Sequence, residues 1–249
     1  MSGHSKWATI KRKKAAKDSK RSNQFAKLLR AVEVAAKEGG GDPAANMTLA
    51  SAVEKAKASS VPGDNIERAI KRGSGDEGGA ARYEEITYEG YAPGGIALFV
   101  EALTDNRNRT AQDVRHAFTR NGGNLGETGS TAWMFTRKGV IVVEKSSAPD
   151  EERLLEQALD AGAEDLKDSE SSWEIVTEPS ALTAVRDAIG VAGIEIFSAE
   201  LTMLPQSTIP VDGAEARRVL QLIESLDDLE DVQNVYANFD IPEEVMASL

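Results

Sequence analysis

Phe25, Leu28, Leu29 and Val32 recur at the spacing of one helix face. The stripe predicts a helix capped by Ser22 or Asn23, running to Glu38 and halted by Gly39, Gly40 and Gly41. A second helix is predicted from the Asp42 cap, with Pro43 in its first turn and Leu49, Val53 and Ala56 facing inward. Val61-Pro62-Gly63 breaks it. Asp64 then caps a third, short helix, with Glu67 completing a capping box and Ile66 and Ile70 toward the core. Lys71 and Arg72 fall at its end, where the helix dipole favours cations. Three short amphipathic helices imply a small bundle. The polar run from Gly73 to Gly79 reads as a linker. It matches G-x-G-x-x-G by letters only: it follows a helix instead of a strand and holds two acids where a pyrophosphate would sit.

Beyond the linker the period changes. Tyr83–Tyr91 and Ile96–Thr104 read as two strands joined by Ala92-Pro93-Gly94-Gly95. Thr110–Arg120 reads as a helix with Thr110 as cap, Asp113 completing the box, and Val114 and Phe118 inward. Thr131–Arg137 and Gly139–Glu144 are predicted as separate strands. Asp150–Ala161 is a helix, Glu164–Lys167 and Trp173–Thr177 are strands, Pro179–Ile189 is a helix and Ile194–Met203 a strand. From Gly139 this is β-α-β-β-α-β, a ferredoxin-like unit. A helix through Leu226 and a strand over Val232–Phe239 follow. The first module lacks a second helix and a last strand, and the C-terminal piece supplies one of each. Periodicity permits either an inserted ferredoxin-like unit or two consecutive domains.

Charge sharpens the division. The 249-residue chain carries a formal net charge of -12, unevenly spread. Residues 1–82 hold 17 Lys+Arg against 9 Asp+Glu, and residues 83–249 hold 12 against 32. The balances are +8 and -20. Such asymmetry points to a basic region that meets a polyanion, joined to acidic domains that do not. From Lys6 to Arg21 there are eight cations and one acid, Asp18. The arm comprises Lys6, Lys11, Arg12, Lys13, Lys14, Lys17, Lys20 and Arg21, with Lys27 and Arg30 following on the first helix. That density suits phosphates, with release of their counterions. Trp7 either stacks on an unpaired base or anchors the arm to the bundle. Arg107 and Arg109 enter a helix N-terminus and form a secondary anion contact, or else a hydrogen-bonded loop in which Asp105 pairs an Arg.

No enzymatic constellation stands out. The two histidines, His4 and His116, fall in different modules, and there are no cysteines, which fits a reducing cytosol. No metalloprotease, nucleophile-elbow or P-loop pattern appears. The acidic run Asp227-Asp228 with Glu230-Asp231 lacks calcium-loop spacing and reads as a solvated helix end. No cofactor, metal or catalytic residue is expected. No apolar run approaches the ~18 residues of a membrane span. The basic start also has the look of a mitochondrial transit peptide, though it is rich in Lys.

The segments SGHSKWATIKRKK, EGGGDPAAN, DNIERAIKRG, YEEITYEGYAPGG, ALTDNRNRTAQDVRHAF and NGGNLGETGSTAWMF, in that order, resemble the YebC family. LTMLPQSTIPV and DVQNVYANFDIP extend the resemblance over the whole chain. It implies a multi-domain α and α+β fold: an N-terminal three-helix bundle plus two α+β domains, the third ferredoxin-like and inserted in the second. The expected limits are 1–82, 83–137 with 206–249, and 138–205. Members are described as DNA-binding transcriptional regulators of the bacterial cytoplasm. Mitochondrial relatives are described as translation activators, and ribosome-associated roles are proposed for bacterial members. The family has no established enzymatic chemistry. Two departures stand out. Met47-Thr48-Leu49-Ala50 follows Asn46 where many relatives are basic, and Gly63 replaces a frequent basic residue.

The expected function is therefore a non-enzymatic, cytoplasmic, nucleic-acid-binding regulator of gene expression acting on DNA. The alternative inside that class is a ribosome-associated translation factor contacting ribosomal RNA. From other classes come a basic-arm module docking an acidic protein or membrane surface, and a hydrolase. The acidic domains would face away from the nucleic acid or meet proteins.

Overall fold

The computed structural model describes residues 18–75, 83–148, 150–169 and 171–241, with side chains described from Asn23 onward. Two compact units divide the described residues: those from 18 to 130 with 217–235, and those from 131 to 216 with 236–241.

The first unit begins with the bundle. Helices α1 (Asp18–Gly39), α2 (Met47–Ala58) and α3 (Gly63–Ser74) bury Val32, Ala35, Ala36, Leu49, Val53, Ala56, Ile66 and Ala69 in one core, with Phe25, Leu28 and Leu29 packed against it. Leu49, fully buried, contributes about 2 kcal/mol by transfer from water alone. All three helix starts differ from the sequence expectation. α1 already includes Asp18, the first described residue, so it extends past the expected cap at Ser22 or Asn23 and takes in Lys20 and Arg21. α2 begins after Asn46, not after Asp42. The Asn46 side chain accepts from the Leu49 amide at 3.1 Å and donates to the carbonyls of Ala35 at 2.7 Å and Gly40 at 2.9 Å. It thus caps α2 and ties it to the end of α1, leaving Asp42 to close a turn on the Ala44 amide. α3 starts at Gly63 after Pro62 without a side-chain cap, so Asp64 lies in its first turn instead of capping it. Gly73 belongs to α3, not to the linker. A Cβ there would sit 2.2 Å from the Glu33 carbonyl oxygen, so glycine lets α3 lie directly on α1.

The α/β part of this unit is a four-stranded sheet in the order β3 (Asn124–Leu125), β1 (Glu84–Tyr91), β2 (Ala97–Thr104), β9 (Val232–Ala237). Strands β1 (Glu84–Tyr91) and β2 (Ala97–Thr104) form the expected antiparallel hairpin, with Gly94 and Gly95 at positive φ in its turn. Helix α4 (Arg107–Arg120) leads to the short β3 (Asn124–Leu125), which pairs with β1. Asn106, not Thr110, caps α4 by accepting from the Arg109 amide at 3.1 Å. β9 (Val232–Ala237) joins the free edge of β2, preceded by helix α7 (Gly213–Asp227). The sheet therefore draws strands from both sides of the segment that forms the next one.

In the second unit, β4 (Phe135–Glu144), α5 (Glu151–Asp160), β5 (Ala163–Ser169), β6 (Ser172–Thr177), α6 (Leu182–Val191) and β7 (Ser198–Pro205) build an antiparallel sheet in the order β5-β6-β4-β7. Its order and β-α-β-β-α-β sequence are the ferredoxin-like arrangement. The two strands expected over 131–144 are one. A 3-10 turn covers Ala132–Met134, and β4 then runs unbroken through Gly139. A Cβ at Gly139 would meet Thr177 Oγ1 at 2.3 Å, so this glycine marks close packing, not a chain break. The short strands β8 (Ile209–Pro210) and β10 (Phe239–Asp240) pair in parallel.

Candidate nucleic-acid interface

His4, Lys6, Trp7, Lys11, Arg12, Lys13, Lys14 and Lys17 lie outside the described residues, as do the side chains of Lys20 and Arg21. The remaining expected contacts, Lys27, Arg30, Arg107 and Arg109, all belong to the first unit. Three of the four turn toward the protein's own acceptors.

α1 projects Lys27 and Arg30 from one side, a turn apart. Lys27 Nζ donates to the Asp227 carbonyl at the end of α7. Arg30 is more deeply held, with its side chain only 9% exposed. Its Nη1 lies 2.8 Å from Asp231 Oδ1 and 3.1 Å from the Leu103 carbonyl, its Nη2 lies 2.8 Å from Glu230 Oε1, and its guanidinium sits 5.0 Å over the Tyr83 ring. The guanidinium is thereby matched by two carboxylates, two carbonyls and an aromatic face.

Asp231 is shared. Arg109 Nη2 lies 2.8 Å from Asp231 Oδ2 and 2.9 Å from Asp105 Oδ1. The Thr110 and Thr104 hydroxyls stand 2.7 Å and 3.2 Å from the same Oδ2 and 2.8 Å from each other. Burial pushes the Asp231 carboxyl up. The hydrogen bonds from Arg109 and Thr110, with the charges of Arg109 and Arg30, outweigh it and hold the group below the ordinary aspartate range. The same hydrogen bonds, to Asp231 and then Asp105, hold Arg109 protonated more firmly than a free arginine. Burial also raises the Tyr88 hydroxyl above its ordinary range, against the opposing pull of Arg107.

These contacts bear directly on anion binding. The N-terminus of α4 carries Asn106 as its cap and Asp231 beside its first turn, so the protein supplies its own anion there. An arriving phosphate would face Asp231 and Asp105 together. Arg107 differs: it is well exposed and reaches only Glu84, at 3.6 Å. The acidic run after α7, read from sequence as a solvated helix end, is corrected at Asp231, which is buried at the junction of α1, α4 and β9. Nothing in the local pattern of that run marks Asp231 off from Asp228. In the first departure Met47 is 83% exposed while Leu49 belongs to the bundle core, and at the second no atom lies within 4 Å of a Cβ placed on Gly63. Among the described residues no group of three or more His, Asp or Glu is placed to hold a metal ion, and no helix is long and apolar enough to cross a membrane.

Comparison with known proteins places this arrangement. Residues 5–76 match the model of the TACO1/YebC N-terminal domain, and residues 83–239 match that of the TACO1/YebC second and third domain. The chain belongs to the TACO1/YebC family. Among its relatives, a protein of Rubrobacter xylanophilus is 57% identical over 100% of this chain and 99% of its own length. One from Mycolicibacterium smegmatis is 56% identical over the same shares. Both bear the name "probable transcriptional regulatory protein". A crystal structure of a conserved hypothetical protein from Aquifex aeolicus is similar with a TM-score of 0.80 and 46% identity, over 92% of this chain and 94% of the other.

Proposed function

We propose that this TACO1/YebC protein is a nucleic-acid-binding regulator of gene expression that acts without catalysis, with DNA as the polyanion and the N-terminal arm as the grip. The observation that carries the proposal is the charge division: eight cations against one acid between Lys6 and Arg21, on a chain whose residues 83–249 balance at -20. The names of the relatives favour regulation and, through transcription, DNA. Arg30 and Arg109 are left out of the grip because Asp231 already neutralises them. The phosphate contacts then fall to Lys6, Lys11, Arg12, Lys13, Lys14, Lys17, Lys20 and Arg21, with Trp7 placed to stack on a base. Such contacts position a protein on the backbone without reading its sequence. If about six phosphates are engaged, log K falls against log salt with a slope near -5.

The test is crosslinking in cells followed by sequencing of the attached nucleic acid, with a Lys11–Lys14 charge-removed variant as control. Promoter DNA lost in the variant is the expected result. Ribosomal RNA in its place would move the protein to the ribosome. No arm-dependent nucleic acid at all would overturn the proposal.

A further inference from the structure

We propose that the outer faces of α4 and α7 form a second contact for the DNA backbone, separate from the arm, with Arg115, Arg120, Arg217 and Arg218 as its cations. This rests on the nucleic-acid reading above. Residues 83–249 hold only 12 Lys+Arg, yet six lie on these two helices: Arg107, Arg109, Arg115 and Arg120 on α4, and Arg217 and Arg218 on α7. The helices carry four acids, Asp113, Glu215, Glu224 and Asp227, so the four arginines other than Arg107 and Arg109 match them one for one in a region at -20. Arg109 is taken by Asp231 and Arg107 leans on Glu84. Arg115, Arg120, Arg217 and Arg218 are exposed, and none of them has an ion pair among the described residues.

Helix geometry puts these groups together. α4 buries Thr110, Val114, Ala117 and Phe118. At 100° per residue the opposite side carries Gln112, Arg115, His116, Thr119 and Arg120, with the two arginines about 7.5 Å apart along the axis and about 140° apart around it, at the two edges of that side. A shallow cleft of about 160 Å³, lined by Asp113, His116, Ala117, Arg120 and Asn121 of α4 and its end and by Ser225 and Leu229, sets α7 beside this face, with Asp113 the one carboxylate in its lining. Leu222 of α7 reaches the point where α4 has ended, 2.8 Å from the position of a Cβ on Gly123. Arg218 lies one turn back from Leu222, about 6 Å along α7, with Arg217 next to it. The guanidinium fork suits phosphate oxygens, and unpaired arginines bring no internal carboxylate to displace. The surrounding acidity would repel a polyanion everywhere except at this island, so the contact would fix how the acidic part of the chain is oriented on the duplex.

The test is fluorescence anisotropy of the full chain on a labelled DNA duplex across a salt series. The variants are Arg115→Gln/Arg120→Gln/Arg217→Gln/Arg218→Gln, the Lys11–Lys14 charge-removed arm, and a control with the same charge change elsewhere, Arg137→Gln/Arg153→Gln/Lys167→Gln/Arg186→Gln. The α4–α7 variant is expected to flatten the slope of log K against log salt by about 0.9 per phosphate lost, and to weaken binding roughly eightfold per contact at 0.1 M salt. The control should leave both within error of the unmodified chain. An unchanged slope in the α4–α7 variant overturns the inference, and so does an equal loss in the control, which would make the effect one of bulk charge. Loss of binding to an RNA duplex with DNA binding untouched overturns DNA as the occupant. Loss in the α4–α7 variant with an inert arm supports this contact and sinks the arm. No binding by the unmodified chain sinks both.

Discussion

Asp231→Ala tests whether one buried carboxylate holds three segments together. The substitution removes the acceptor shared by Arg30, Arg109, Thr104 and Thr110. Arg109 loses little, because its side chain is 47% exposed and keeps Asp105; such surface pairs contribute at most about 1 kcal/mol. Thr104 and Thr110 keep each other at 2.8 Å. Arg30 carries the main cost. Its side chain is 9% exposed and would retain one exposed carboxylate, Glu230, with two carbonyls. Breaking a buried pair from one side costs about 3–5 kcal/mol, and these residual partners place the expected loss near the bottom of that range, about 3 kcal/mol. Tm should fall by roughly 6–12 °C, at about 2–4 °C per kcal/mol for chains of this size. Tryptophan fluorescence is a poor reporter, because Trp133 and Trp173 belong to the other unit. Calorimetry should therefore be joined to amide exchange at β2 and β9. If the stranded guanidinium is the cause, Arg30→Met in the Asp231→Ala background should recover more than 1 kcal/mol. A loss under about 1 kcal/mol, or no recovery in the double variant, would refute the hub.

The pH dependence follows from the same group. The folded-state pKa of Asp231 is depressed, so its contribution is complete above the unfolded value near 4 and is lost as pH falls through the folded one. The stability gap between the unmodified chain and Asp231→Asn should stay constant above about pH 5 and narrow as pH falls below about 4; a gap that widens with acid would contradict the assignment. Asn46→Ala removes a helix cap and strands the Ala35 and Gly40 carbonyls, for about 2–3 kcal/mol, visible as early loss of helical circular dichroism on urea titration. Gly73→Ala drives a methyl to within 2.2 Å of the Glu33 carbonyl and should cost about 2 kcal/mol or more, whereas Gly63→Ala, in open space, should be near neutral in the same titration.

Much of the architecture was legible because it is written locally. The apolar stripe of α1, the strand-turn-strand pattern of β1 and β2 and the β-α-β-β-α-β order are each set by neighbouring stretches of chain. Helix starts were less legible. The sequence between α1 and α2 offers two capping residues, Asp42 and Asn46, and the carbonyls of Ala35 and Gly40 at the end of α1 decide for Asn46. Glycine misled twice in the same way: at Gly73 and Gly139 it serves a close approach by a distant segment, not a break in its own.

By itself, the sequence determined the two-signed character of the molecule, because charge is a sum over residues and needs no fold. It also determined the basic arm, since eight cations in sixteen positions stay close in any conformation. Only the tertiary structure decided which cations remain available to a partner. Arg30 and Asp231 are 201 residues apart, and Arg109 and Asp231 are 122 apart, so their neutralisation exists only once β9 has paired with β2 and α1 has packed beside it. A charge seen in the sequence is a candidate for binding; burial against an opposite charge withdraws it.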